Sequence, residues 1–249
     1  MRESLISISE HVGDMNLKIQ IFNIALNDVI TSWLSTAADS PSNVFSSSEV
    51  LLAHISTNHP QMPAIRHILN TILHTAKRVA TPIFPIEIWT RSTLVLKNDL
   101  INIFPFANVW FPAMSLLFKA LKEFHKMWHP IVREQLQNQN PMLSNLMVFV
   151  PVDGCKEIHS KVMSILSNDA NSVKSNHEVR EIRVLLYLIL AQASIHKVIY
   201  LCEEHTTFIS SLCEDFNYLD NAHLSAFTRL FLQPYLLNAL PVLKHQFLI

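Results

Sequence analysis

Histidine, cysteine and clustered cations are where chemistry could begin in this chain. His125 and His129 stand four residues apart in a helical pattern, the spacing that puts two metal ligands on one helix face. A zinc-protease arrangement needs glutamate at position 126, and Lys126 is there instead. No neighbouring cysteine or carboxylate forms an obvious third ligand, so the pair reads as two polar residues near a helix end set by Pro130. Cys202-Glu203-Glu204-His205 brings a thiol and an imidazole close in sequence. A nucleophilic cysteine needs a base, an orienting third group and a water-accessible pocket. Cys202 instead continues the apolar register of the preceding helix and reads as a buried thiol. The 13 histidines are scattered and read as surface and cap residues. These patterns predict no catalytic residue, no metal and no cofactor.

Cations could serve binding. Lys77-Arg78 closes a helix that begins near Pro63, where positive charge offsets the negative end of the helix dipole. The alternative is contact with cargo or with RNA phosphates. Arg66, His67 and His74 on the same helix would extend that pair into a modest basic ridge. Lys77 and Arg78 point about 100° apart, and Arg66 lies three turns before Arg78, so a backbone contact would use one or two of the three. Phe104, Phe106, Trp110 and Phe111 cluster along the chain. Core packing is the default for such a cluster, and base stacking is the alternative.

The elements that must position these residues follow from composition. Only 2 of the 249 residues are glycine, against a usual share of about 7%. Tight hairpins and nucleotide-binding loops need the positive φ that glycine adopts most readily. A β-sandwich, a Rossmann motif and a P-loop are therefore excluded. The 12 prolines punctuate the chain in their place. Hydrophobic residues make up 49% and charged residues 16%, enough apolar material for a large core. The net charge of −1 supplies no general attraction to nucleic acid or acidic membranes, and no DNA partner is expected. Cys155, Cys202 and Cys213 fit a reducing compartment better than a disulfide framework. Glu3 and Glu10 interrupt the N-terminus, so no apolar stretch there has the length of a signal peptide. Leu100 to Phe118 carries no charge but contains Asn102, Pro105, Asn108 and Pro112. That reads as two packed helices and not as a membrane insertion.

Apolar spacing predicts helices throughout. Between Met15 and Leu34, Leu17, Ile21, Ile24, Val29 and Trp33 form one broad face, with Asp14 as N-cap. Ser46 and Glu49 resemble a capping box for the next helix. Further helices are expected at about 63–80, 93–104, 112–128, 141–150, 154–167, 176–202, 206–218, 221–233 and 235–248. In the longest, Ile182, Leu185, Leu186, Ile189, Ala193 and Val198 face the core, while Glu178, Arg180, Glu181 and Arg183 solvate its start. Polar breaks fall near 35–48 and 167–176 within one continuous segment, 1–249. Two architectures suit such helices: a closed bundle, or an α-solenoid of HEAT-like pairs, an armadillo-like superhelix. Pairing at about 40 residues favours the solenoid. So do the apolar ends, Leu236 to Leu243 and Phe247-Leu248-Ile249, which suggest a chain that stops mid-array and would associate through uncapped faces.

Several segments, in order, resemble the exportin-5 family of nuclear export receptors, in the importin-β (karyopherin) superfamily. Ser4-Leu5-Ile6-Ser7-Ile8-Ser9, then Ile21-Phe22, Ala25-Leu26 and Val29 through Ser32-Trp33-Leu34-Ser35, is similar to that family's helix pair ending in Trp-Leu-Ser. Ile72-Leu73, Lys77-Arg78 and Pro82 resemble its Ile-Leu, Lys-Arg and Pro helix end. Asn98 to Trp110 with Pro112 resembles a helix followed by an aromatic-x-Pro turn. Leu224, Arg229-Leu230-Phe231-Leu232 and Pro234 resemble an Arg-Val-Phe-Val-x-Pro helix, and Pro241 is also in place. Residues 114–215 contribute little to the likeness. The resemblance implies HEAT repeats, binding of export cargo together with Ran-GTP, contact with nuclear pore proteins, and shuttling between nucleus and cytoplasm. The implied cargo is protein or structured RNA such as microRNA precursors, with Lys77, Arg78, Arg66 and Arg229 as the candidate contacts. The chain departs from the family pattern at Phe104-Pro105-Phe106-Ala107, His223-Leu224-Ser225 and Gln233, where the family tends to carry basic residues. Phosphate contacts dominate RNA affinity, so these departures remove attraction for RNA.

Overall fold

Apolar residues recur every three to four positions, and prolines mark many of the breaks. A computed structural model of the chain describes residues 7–9, 11–35, 40–57, 59–79, 93–104, 106–139, 170–219 and 221–239. Among these residues all regular structure is helical, and the fold is all-α. The helices expected at 141–150 and 154–167 lie outside the described residues, as does most of the one expected at 235–248.

Helix α1, Met15–Leu34, starts at Asp14, whose carboxylate accepts the backbone N–H of Asn16 at 2.8 Å and of Leu17 at 3.4 Å. Its buried stripe is Phe22, Ala25, Leu26, Val29 and Trp33. The face expected from the sequence is thus rotated: Leu17 and Ile24 are exposed, because Phe22 and Leu26 offer a continuous stripe with Val29 and Trp33. The described part of the polar break at 35–48 includes a helical turn, α2, Pro41–Val44, tied back by the Ser42 hydroxyl donating to the Trp33 carbonyl. Helix α3, Ser48–Ser56, is capped by Ser47, whose Oγ accepts the Val50 N–H at 3.3 Å. The cap is therefore one residue later than the Ser46–Glu49 box predicts. Helix α4 spans Met62–Arg78 and α5 spans Thr93–Ile103.

Helix α6, Ala107–Lys126, begins five residues before the expected start at 112 and carries Pro112 inside it. Early prolines are tolerated, since a first-turn N–H needs no helical partner; Pro112 is deeper, and it deprives the Asn108 carbonyl of its helical donor. Leu100 to Phe118 thus divides between α5 and α6, and no described helix is long and apolar enough to cross a membrane. Helix α7, Pro130–Gln139, follows.

Helix α8, Ala170–Ile195, begins within the polar break expected at 167–176. It ends where Lys197 adopts φ 66°, a left-handed conformation more usual for glycine. A 3₁₀ turn, Val198–Leu201, and helix α9, His205–Asp215, come next. After a second 3₁₀ turn, Phe216–Tyr218, α10 covers Asn221–Phe227. It runs into a π-helical turn, Thr228–Leu232, and α11, Gln233–Asn238. Pro234 brings no N–H to that junction, leaving the backbone ladder one donor short where the chain widens.

Helix α8 is the central post. Ile182, Leu185, Leu186, Ile189 and Ala193 are buried as expected, and Val179, Tyr187 and Leu190 are buried with them. Its contact with α4 is the most extensive between any two described elements, and it also packs on α3, α6, α11 and the π turn. In a solenoid each repeat touches only its sequence neighbours. Contacts from α8 to α3 and α4 join stretches about a hundred residues apart in sequence.

Candidate functional site

Two of the five residues of the predicted basic ridge on α4, Arg66 and Arg78, are engaged within the fold. Arg66 Nε lies 3.0 Å from Glu178 Oε2, and its guanidinium also pairs with Glu181, so it joins α4 to α8. Arg78 Nη1 donates to Ser7 Oγ at 3.0 Å. Lys77, His67 and His74 remain exposed. Lys77 sits in the last turn of α4, where it complements the helix dipole. Arg229 is exposed on the π turn, on a different element from the other three. Two charges expected to solvate the start of α8 are buried: Glu178, because Arg66 reaches it, and Arg183, whose Nη1 lies 3.4 Å from His223 Nδ1.

The histidines correct the sequence expectation most. His125, His196, His205 and His223 are all buried. His125 Nε2 meets the Tyr187 hydroxyl at 2.9 Å, and burial pushes its pKa down to about 3. His129 turns away from it to the Tyr218 ring, and its Nδ1 accepts the Ile131 N–H at 3.4 Å near the start of α7. The two rings therefore do not share a ligand position. His196 closes the aromatic cluster, 5.1 Å from the Phe104 ring and 5.9 Å from that of Trp110, and burial lowers its pKa to about 4. Phe104, Phe106 and Trp110 are core residues, while half-buried Phe111 carries Lys97 Nζ 4.9 Å above its ring. His205 Nε2 meets the Tyr235 hydroxyl at 2.8 Å, with its pKa lowered by burial to about 4. Burial, then the Arg183 charge, holds His223 well below its ordinary value. Cys202 donates Sγ to the Val198 carbonyl at 3.4 Å, and burial pushes its thiol up to about 12. At neutral pH it is a protonated, buried thiol and no nucleophile. No group of three or more described His, Cys, Asp or Glu residues is arranged to hold a metal ion.

The surface that sequence reasoning missed lies between α6 and α9. Two open depressions adjoin there, of about 390 and 350 Å³, sharing Ser115 and Glu204. The first is lined by Lys97, Asn108, Phe111, Pro112, Glu203 and Glu204 among others. The second has Lys119, Lys122 and Lys126 along its α6 wall, and Thr207, Phe208 and Ser211 along α9. Phe118 and Phe208 stack at its base, ring centroids 4.0 Å apart and planes 16° from parallel. The lysines stand at i, i+3 and i+7, one face of a helix. That spacing is visible in the sequence, but nothing there reveals that α9 lies opposite. Lys126 Nζ is 2.7 Å from Glu123 Oε1, Ser115 hydrogen-bonds Glu204, and Lys97 Nζ lies 3.9 Å from Glu203 Oε1. Asp215 lies within electrostatic reach of Lys122 and Lys126, its pKa raised by burial and partly restored by these cations and His129. No protein-family model, no curated protein and no solved structure matches this chain.

Proposed function

We propose that this chain works by binding other proteins, as a portion of a nuclear export receptor of the exportin-5 kind that carries protein cargo together with Ran-GTP through the nuclear pore. In this reading its helices belong to HEAT-like pairs of a longer superhelix, and the protein shuttles between nucleus and cytoplasm. The ordered resemblance from Ser4 to Pro241 motivates the transport role. The observation that favours protein over structured RNA as cargo is the engagement of Arg66 by Glu178 and Glu181. A cation committed to two carboxylates has little left for a phosphate.

A second reading, a helical interaction scaffold with no transport role, draws support from the packing of α8 on α3, α4, α6 and α11, which is not nearest-neighbour stacking. A pulldown from nuclear extract separates the two, using the full-length protein with Ran-GTP or with Ran-GDP. Proteins retained only with Ran-GTP support export. Retention indifferent to the nucleotide overturns it in favour of the scaffold.

A further inference from the structure

The groove between α6 and α9 has two unlike ends. At one, Lys119, Lys122 and Lys126 project from a single face of α6 beside the Phe118–Phe208 stack. Glu123 and Asp215 offset part of that charge, but Lys119 is exposed and Lys122 half-exposed at the rim. At the other end Glu203 and Glu204 are exposed; Lys97 Nζ lies 3.9 Å from Glu203 Oε1, and Glu204, which borders both depressions, accepts from the Ser115 hydroxyl. From Asn108 to Lys126 the α6 axis rises about 27 Å. An extended peptide of about eight residues spans that length.

We infer that this groove holds an extended segment of a partner protein, acidic where it meets Lys119 and Lys122 and basic or uncharged where it meets Glu203 and Glu204. The inference rests on the reading that the chain binds proteins. Charge complementarity carries it. A nucleic acid places a phosphate at every nucleotide and would bring some of them against Glu203, Glu204 and Asp215. A peptide can vary its charge along its length and so match both ends of the groove.

Phage selection of random dodecapeptides on the full chain, and on Lys119→Glu/Lys122→Glu, tests this. Far-UV circular dichroism and thermal melting establish that the variant remains folded. The expected result is enrichment, on the unmodified chain, of peptides with Asp and Glu gathered at one end. On the variant these give way to peptides with Lys or Arg at that end. A selected peptide, followed by fluorescence anisotropy, should lose about tenfold or more in affinity for the variant. It should lose a similar factor when its sequence is reversed. The same peptides enriched on both proteins, or no enrichment on either, would overturn the inference. So would a short single-stranded RNA that displaces the peptide and itself depends on Lys119 and Lys122, which would make the groove a phosphate-binding surface. A Ran-indifferent pulldown would remove the transport reading and leave a positive peptide result standing.

Discussion

Two sides of α6 differ in what packs against them. On one side Leu117, Leu121, Phe124 and His125 are buried, with α8 supplying Tyr187. On the other, Ser115, Lys119, Lys122 and Lys126 line an open groove toward α9. His125 and Lys126 are adjacent in sequence, yet one is held neutral in the core and the other pairs with Glu123 at a solvent edge. Helix α4 repeats the lesson, for its Arg66 is drawn into carboxylates of α8 while Lys77 stays in solvent. Spacing places a side chain on a face, and the neighbouring element decides whether that face is dry or wet.

Acid should break the contrast most severely. His125, His196 and His205 have folded pKa values of about 3, 4 and 4, and His223 is also held well below the ordinary 6.5. The unfolded chain binds these protons near pH 6.5 and the folded chain does not. Their stabilisation is therefore fully present above that pH and is lost as pH falls through it. Between pH 6.5 and 5 His125, His196 and His205 should each remove roughly 2 kcal/mol. Together these three remove an amount comparable with the whole stability of a typical domain, about 5–15 kcal/mol, and His223 acts in the same direction. Arg183 beside His223, and His125 near it, make a second positive charge there still less favourable. Chemical denaturation followed across pH 7 to 5 should show a steep loss, with acid unfolding between about pH 5 and 6. A stability flat over that range would mean that the imidazoles are solvated.

The next effect concerns the clamp between α4 and α8. Arg66→Ala removes this cation from beside Glu178, only 3% exposed at its side chain. Breaking a fully buried pair costs about 3–5 kcal/mol. Arg66 is 25% exposed, so about 2–3 kcal/mol is expected once solvent screening is allowed for. Adding Glu178→Gln should recover part of that loss, as urea midpoints will report. An Arg66→Ala variant of unchanged stability would return Arg66 to the list of cations available to a ligand.

How far the sequence revealed these sides is itself instructive. Helical class, the N-cap at Asp14 and the core positions of α8 were legible because each is local or periodic. The register of α1 was not, since Ile24 and Phe22 are equally apolar and only packing tells which faces inward. Nothing local in the sequence marks the four buried histidines, because their burial depends on Tyr187, Tyr235, Arg183 and the Phe104–Trp110 cluster, all distant in sequence. The candidate groove was hidden for the same reason. Its lysines have visible spacing, but its opposite wall arrives from about 90 residues further along.

A smaller effect sits at the end of α8. Lys197 holds φ 66°, and its ammonium donates to the Asn238 carbonyl of α11 at 2.6 Å. Lys197→Ala loses that bond and keeps the left-handed strain, whereas Lys197→Gly loses the bond and relieves the strain. The glycine variant should therefore be the more stable of the two by about 1 kcal/mol. Equal thermal melting of the pair would show that the strain is absent in solution.

The smallest effect is expected on the wet side of α6. Lys122 stands four residues before Lys126, a like-charge pair that costs about 0.2–0.5 kcal/mol on a helix surface. It also attracts Asp215, whose burial disfavours the carboxylate. Lys122→Ala removes both terms, and they oppose one another. Lys119 stands four residues before Glu123, with the cation on the N-terminal side, the weaker orientation for such a pair. Each single substitution should thus leave stability within about 0.5 kcal/mol. Matching urea midpoints for Lys119→Ala, Lys122→Ala and the unmodified chain would place these lysines outside the machinery of folding, in contrast to Arg66. A loss above about 1 kcal/mol for either would show instead that α6 and α9 are held together by these cations. The groove would then be a seam of the fold and not a surface awaiting a partner.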